Sequence, residues 1–326
     1  MNAVEFIAAG VVLLAIGGEA LLRGGIGLCR SLGVPAFWIG LIAIPLASAF
    51  PLLLLSAQAL MHGASDAALG SIFGACILDI LLMLGAVAAI RPLPASAKLA
   101  IRDGGTLVAS GAAVFLLAQY IGLGRGAGAI LLAGLAFWLV LAFATDWRRP
   151  AALSISETRG LALVSRRTAN EGLSVVLLVF GLASLYFGSR YFIGGGLAAA
   201  ATNHVSRAAG GLTVAAFAAS IPIMTTTGRL GARGHADAVL GFVLAACIVN
   251  LLGVLGLLAL TQPLPVTLEL REPGLYAVAG SALLFFLLLS MGWRLARWQG
   301  FILLLGYAAY LGWLAWQQGL RWPATL

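Results

Sequence analysis

Charge is what this sequence has least of: 9% of its 326 residues are Asp, Glu, Lys or Arg, against 62% hydrophobic residues and a mean hydropathy of +1.06. No soluble fold can hide that much apolar surface, so the bilayer must be the solvent. Cysteine is sparse too. Cys29, Cys76 and Cys247 are the only three, which excludes a disulfide framework. The three histidines, His62, His204 and His235, fall near loops without a ligand spacing, and the chain contains no nucleophile–base arrangement or phosphate loop. Nothing therefore argues for an enzyme, a metal centre or a cofactor. Long polar stretches are missing as well: the one candidate linker, 146–171, is too short for a folded domain.

What the chain does have is a repeat at constant offset. Gly40/Gly211, Leu41/Leu212, Pro51/Pro222, Asp66/Asp237, Gly70/Gly241, Cys76/Cys247 and Gly85/Gly256 are each 171 residues apart, and the register reaches back to Gly17/Gly188 and Gly24/Gly195. Membrane proteins built from duplicated halves bring those halves together around a site near the bilayer midplane.

Apolar stretches near the length of a bilayer-crossing helix run Val4–Leu22, Pro35–Leu60, Ala67–Ile90, Thr106–Ile121 and Gly126–Thr145. A second set runs Leu173–Phe192, Ala208–Gly228, Asp237–Leu260, Gly274–Leu289 and Gly300–Trp316. Five spans per half is odd, so the second half enters from the opposite face. The expected fold is an all-α integral membrane protein of ten transmembrane helices in two inverted five-helix repeats, 1–145 and 172–326, joined by 146–171.

Fourteen of the nineteen basic residues fall on one set of alternate loops, among them Arg91, Lys98, Arg148, Arg149, Arg166, Arg167, Arg229 and Arg294. Five fall on the other: Arg125, Arg190, Arg207, Arg271 and Arg321. The positive-inside rule makes the first set cytoplasmic and puts both termini outside a bacterial-type inner membrane. The formal charge of +8 thus reflects topology, and its dispersal over short loops argues against nucleic-acid binding. The first span is long for a signal-peptide core and belongs to the repeat, so it reads as a retained helix.

In the second span the segment reads GLIAIPLASAFPLLLLS, and in the seventh GLTVAAFAASIPIMTTTG. Proline inside a span removes a backbone hydrogen bond, so Pro51 and Pro222 are expected to kink or break their helices. Freed carbonyls are tolerated in lipid only where protein or a polar cavity receives them. Two matched breaks point to a central cavity, and a pair of packing kinks is the plainer alternative.

The third span continues DAALGSIFGACILDILLMLG and the eighth DAVLGFVLAACIVNLLGVLG. On these motifs the sequence resembles the cation:calcium antiporter superfamily, to which sodium/calcium exchangers belong. Each half of that family carries G-L-T-x-x-A-x-G-T-S-x-P-E and then D-x-A-x-G-N-x-x-G-S-N-I-x-N-I-L-x-x-L-G. The resemblance spans nearly the whole chain, including GGEALLRGG in the first helix and GSRYFIGGG in the sixth. It implies the exchanger fold, with the first and sixth helices sliding across a core so that a central site opens to each side in turn. The glycines Gly24, Gly25, Gly27 and Gly194–Gly196 would permit close backbone contact in such a movement.

The family's cation-ligating glutamates follow the two prolines; the matching residues here are Leu52 and Ile223. Its Thr-Ser becomes Ser48-Ala49 in one half and Ala219-Ser220 in the other. Its G-S-N becomes Gly74-Ala75-Cys76 and Ala245-Ala246-Cys247, and only the last Asn or Asp persists, as Asp79 and Asn250. Calcium takes about six to eight oxygen ligands and binds more tightly as carboxylates are added, so this site is expected to fall short for calcium.

The site residues that remain are Ser48, Asp79, Ser220 and Asn250. An ionised Asp at midspan costs roughly 2.5–3.5 kcal/mol on insertion scales, which makes Asp79 a functional candidate for binding a proton or a small inorganic cation. The competing role is structural, a buried Asp hydrogen-bonded to Asn250 or a helix-break amide. Glu19 and Arg190 read as helix-end anchors whose charged heads reach the interface. Thr213, Ser220 and Thr227 share a helix face, either a contact between helices or a cavity lining. Cys76 and Cys247 read as small packing residues, with a soft-metal or redox role as the alternative.

The function expected is alternating-access secondary transport with altered cation or proton coupling, with the lipid bilayer as the other partner. The alternatives are a non-transporting membrane scaffold or accessory subunit of the same fold and a transporter of a less charged solute. The oligomeric state is left open.

Overall fold

The computed structural model describes residues 2–34, 39, 43–146, 171–203, 206–232 and 235–317. Most of the 146–171 linker and the Gly40 and Leu41 pair members lie outside them. Ten helices are long and apolar enough to span a bilayer. They are α1 (Ala3–Ser31), α2 (Ile44–Met61), α3 (Ser65–Ile90), α4 (Ala97–Ile121), α5 (Arg125–Thr145), α6 (Glu171–Ala199), α7 (Arg207–Ala232), α8 (Ala238–Thr261), α9 (Leu268–Ser290) and α10 (Arg297–Gln317).

Several run further than their apolar stretches, because the polar groups at their ends find partners. α4 begins at Ala97, where Ser96 caps the helix by accepting from the Leu99 amide at 3.2 Å. Its charged first turns dock on the end of α5: Lys98 Nζ donates to the Thr145 carbonyl at 2.6 Å and Arg102 Nη1 to Thr145 Oγ1 at 3.0 Å. Arg102 also pairs with Asp103 at 2.7 Å, and Asp103 accepts from Trp138 Nε1 at 3.0 Å. With partners supplied, four ionic and polar side chains are accommodated at a helix end that the apolar run alone excludes.

α3 and α8 form the centre, with 78% and 83% of their most apolar windows buried, against 33% for α1 and α6. The outer helices turn side chains such as Phe137, Val176 and Leu305 outward, as a lipid-facing surface requires. α1 and α6 pair antiparallel through glycines. A Cβ built on Gly10 would meet Phe192, one on Gly17 would meet Leu185 and one on Gly24 would meet Leu178, while Gly181, Gly188 and Gly195 return the contact onto α1. The seven-residue spacing on each helix lets the two backbones touch along their length.

The duplication is visible in irregularities. π-helical turns at Leu78–Leu84 in α3 and Val249–Val254 in α8 begin 171 residues apart, as do those at Ala100–Gly104 in α4 and Arg271–Tyr276 in α9. Short strands β1 (Leu93–Pro94) and β2 (Arg294–Leu295) pair antiparallel, joining the α3–α4 and α9–α10 loops. Leu123 and Leu264 form a bridge between the α4–α5 and α8–α9 loops. Both pairings join loops that the alternation of spans puts on one face.

Pro51 and Pro222 do not break their helices. Helical structure runs through both, from Ile44 to Met61 and from Ala216 to Ala232. Each ring withdraws a single donor, and the ladder resumes beyond it. The departure from α-helical geometry in α7 comes earlier, in a π turn at Gly211–Ala215.

Candidate functional site

The two π turns at the centre of the bundle carry the polar residues of the site. Asp79 is the second residue of the α3 turn and Asn250 the second of the α8 turn. A π turn widens the helix locally and recurs at functional positions. Asp79 is fully buried, and neither carboxyl oxygen has a hydrogen-bond partner. The Asn250 side-chain oxygen is likewise buried without one. The structural alternative for Asp79, a bond to Asn250 or to a backbone amide, is therefore not made.

Ser220 of α7 lies beside the Asp79 carboxyl, with its own hydroxyl buried and without a well-formed hydrogen bond. Further along the same helix Thr226 and Thr227 add two fully buried, unpartnered hydroxyls. Buried side chains with unmet polar atoms inside a membrane domain are expensive, and they are tolerated where a ligand or water meets them. Ser48 is buried too, but its hydroxyl donates to the Pro45 carbonyl at 2.8 Å on its own helix. Thr213 similarly turns back, donating to the Ala209 carbonyl at 2.7 Å. The face holding Ser220 and Thr227 makes no hydroxyl bond to another helix among the described residues, so α7 does not pack there through hydroxyl hydrogen bonds.

Leu52 and Ile223, the residues that follow the prolines, are each 2% exposed and apolar. The prolines themselves approach one another: a Cβ built on Gly18 of α1 would lie 3.1 Å from Pro222 Cβ and 3.3 Å from Pro51 Cγ. One glycine thus seats α1 on both halves. The cysteines also meet, with Cys76 Sγ 3.9 Å from the Cys247 carbonyl. A residue can touch its own repeat mate only near the axis that relates the two, so Cys76 and Cys247 mark that axis. They are free thiols, and no cluster of three or more potential metal ligands occurs among the described residues.

A site on the axis between inverted repeats, held by the third and eighth helices, invites comparison with known proteins. The model of the sodium/calcium exchanger protein family matches residues 3–144 and 173–316. This chain belongs to that family. Among its relatives, the protein named "Putative antiporter CaxA", of Alkalimonas amylolytica, is 27% identical over 308 residues, covering 94% of this chain and 96% of its own. The sodium/calcium exchanger MaX1 of Methanosarcina acetivorans is 24% identical over 339 residues, covering 93% and 95%. The solved structure of the sodium-calcium exchanger NCX_Mj, soaked with 2.5 mM Na⁺ and 0.1 mM Ca²⁺, matches with a TM-score of 0.66 at 24% identity, over 96% of this chain and 99% of that one. The ten-helix exchanger architecture, in two inverted repeats, is therefore that of this protein.

Within this exchanger scaffold Glu19 takes a place that its sequence context hides. It is not a helix-end anchor. α1 continues to Ser31, and Glu19 follows directly on Gly18, the residue seated against the prolines. Its carboxylate accepts from Arg23 Nε and Nη2 at 2.8 and 2.6 Å and from Arg229 of α7, tying α1 to the core. Neither the α1–α7 pairing nor Thr226 is signalled locally: Arg229 lies 210 residues from Glu19.

On the other side of the midplane a cavity of about 180 Å³ opens between the α1/α6 pair and α3 and α7. Ile7, Phe192, Leu197 and Val214 line it, with Arg207 as its charged residue.

Proposed function

We propose that this exchanger-family protein is an alternating-access transporter whose central site handles a proton or a monovalent cation instead of calcium. One observation carries the reading: Asp79 is a fully buried carboxyl with both oxygens unpartnered, next to the Ser220 hydroxyl. One carboxylate matches one positive charge. Calcium asks for about six to eight oxygens and more than one carboxylate for tight binding, and at the two positions where the family's glutamates are expected stand Leu52 and Ile223. Ser220 supplies a neutral oxygen beside the single charge, and Asn250 and Ser48 are the other neutral oxygen donors of this reading. A proton or small cation on Asp79 removes the cost of a bare carboxylate in a low-dielectric interior, which couples occupancy of the site to movement of the protein.

The α1/α6 pair is the moving element in this reading. It touches the core through glycine contacts at Gly18 and through the Glu19–Arg229 pair. The basic side, with the 146–171 linker, faces the cytoplasm and the termini face outward, so the cavity at Arg207 opens outward.

Calorimetric titration of the purified protein tests the choice of ion. The reading expects sodium- or proton-linked heat that Asp79→Asn abolishes and calcium binding that is weak or absent. Micromolar calcium binding that survives Asp79→Asn contradicts it. A wild type inert to every ion supports a scaffold role.

A further inference from the structure

α10 lies antiparallel to α3 in backbone contact. A Cβ built on Gly300 would lie 2.5 Å from the Ala89 nitrogen and 2.7 Å from the Gly85 oxygen, and one on Gly306 would lie 3.8 Å from the Leu81 side chain. At about 1.5 Å of rise per residue, moving two residues back from Leu81 to Asp79 corresponds on α10 to a level between Tyr307 and Tyr310. These tyrosines are three residues apart and so share a helix face, with ring centroids 6.3 Å apart. Tyr307 is half-buried and within electrostatic reach of Asp79. Tyr310 is 7% exposed and its hydroxyl has no partner.

The opposite half supplies the comparison. α5 packs on α8 as α10 packs on α3: a Cβ on Gly128 would lie 2.7 Å from the Gly256 oxygen and 2.8 Å from the Leu260 nitrogen, and one on Gly134 would lie 3.7 Å from Leu252. Gly128 thus answers to Gly300 and Gly134 to Gly306, so Tyr307 answers to Leu135 and Tyr310 to Trp138. Leu135 sits 3.2 Å from a Cβ on Gly253, in the turn that carries Asn250. The half with the amide has a leucine at this place, and the half with the carboxyl has a phenol. Trp138 donates to Asp103, whereas the residue that repeats Asp103 is Gly274, which leaves Tyr310 without the equivalent partner.

We propose that Tyr307 is a positioning residue of the ion site, its hydroxyl serving as a hydrogen-bond donor to Asp79 when the carboxyl carries no cation, with Tyr310 continuing the polar track along α10. This rests on the reading of Asp79 as the ion-carrying carboxyl. Among the described residues, the titratable groups placed electrostatically against Asp79 are Tyr307 and, from α8, Cys247; Cys76 precedes it on α3. Of these the phenol is the stronger hydrogen-bond donor.

Infrared difference spectra of the full-length protein in lipid nanodiscs, stepped in pH, test the inference. The carboxylic C=O band that Asp79→Asn removes belongs to Asp79. Tyr307→Phe keeps the ring and should move that band to higher frequency. Because a hydrogen bond to the cation-free carboxyl competes with sodium, and hydrogen bonds to a charged group are strong, its loss should also tighten sodium binding about tenfold. Tyr307→Leu, which copies the other half, should do the same. A band and an affinity left unmoved by both variants overturn the role of Tyr307. A wild type with no band that Asp79→Asn removes overturns the underlying reading of Asp79 as well, and that control tells the two failures apart.

Discussion

Substituting Gly74 by alanine probes how the site is held. Gly74 precedes Asp79 by five residues on α3, and a Cβ there would lie 2.8 Å from Ala216 Cβ and nearer still to the Leu212 carbonyl oxygen of α7. Ordinary contact begins at about 3.4 Å, so at least 0.6 Å must open between the helices. The oxygen is main chain and cannot rotate aside, so α7 has to shift as a unit. Overpacking of this kind costs about 1–3 kcal/mol. Ser220 follows Ala216 by one turn, so the same shift draws its hydroxyl from the Asp79 carboxyl. Gly74→Ala is therefore expected to unfold several degrees below the wild type in detergent and to bind its ion more weakly in calorimetry. Gly280→Ala is the control: nothing lies within 4 Å of that position, and a helical alanine there should be neutral or slightly stabilising. If Gly74→Ala melts and binds like the wild type, α3 and α7 are not in backbone contact and the account of the site is wrong.

Three further outcomes are expected. The pair Leu52→Glu and Ile223→Glu places carboxylates beside the prolines and should create calcium binding by calorimetry where the wild type has little; no gain would mean that other features of the cavity exclude calcium. Labelling of cysteines introduced into the 146–171 segment should require permeabilised cells, and strong labelling from outside would invert the topology. Glu19→Gln removes the charge that ties Arg23 and Arg229, so the melting temperature should fall, and exchanging the charges as Glu19→Arg with Arg229→Glu should recover part of the loss; a swap no better than the single change would show that the pairing is not specific.

The number of spans and their pairing by repeat were legible because an apolar run of bilayer length and a constant offset are both linear properties of the chain. Asp79 and Ser220 were legible for the same reason, since polar residues stand out inside such runs, and they lie together. Residues that depend on packing were not. Glu19 lies near the end of the Val4–Leu22 run and read as a helix-end anchor; in the interior of α1 its partners are Arg23, one turn on, and the distant Arg229, which no local pattern signals. The π turns around Asp79 and Asn250 change hydrogen bonding without changing composition, so no periodicity signalled them. Pro51 and Pro222 were expected to kink or break their helices, and helical structure runs on through both, because one missing donor is a local loss. Tyr307 and Tyr310 carry no signal in the sequence; the contact of Gly85 with Gly300 is what puts them level with Asp79.

The central claim is that the single carboxyl on the axis between the repeats carries the coupling charge, and flux in proteoliposomes tests it most directly. Wild type and Asp79→Asn are reconstituted in parallel and screened for sodium, potassium, calcium and proton movement across imposed gradients. An amide is nearly isosteric with a carboxyl, and Asn250 already occupies the matching place in the other half, so the variant should fold. The account predicts monovalent-cation- or proton-coupled flux in the wild type, little for calcium, and its loss in Asp79→Asn. Flux with unchanged ion preference and unchanged pH dependence in Asp79→Asn would contradict it.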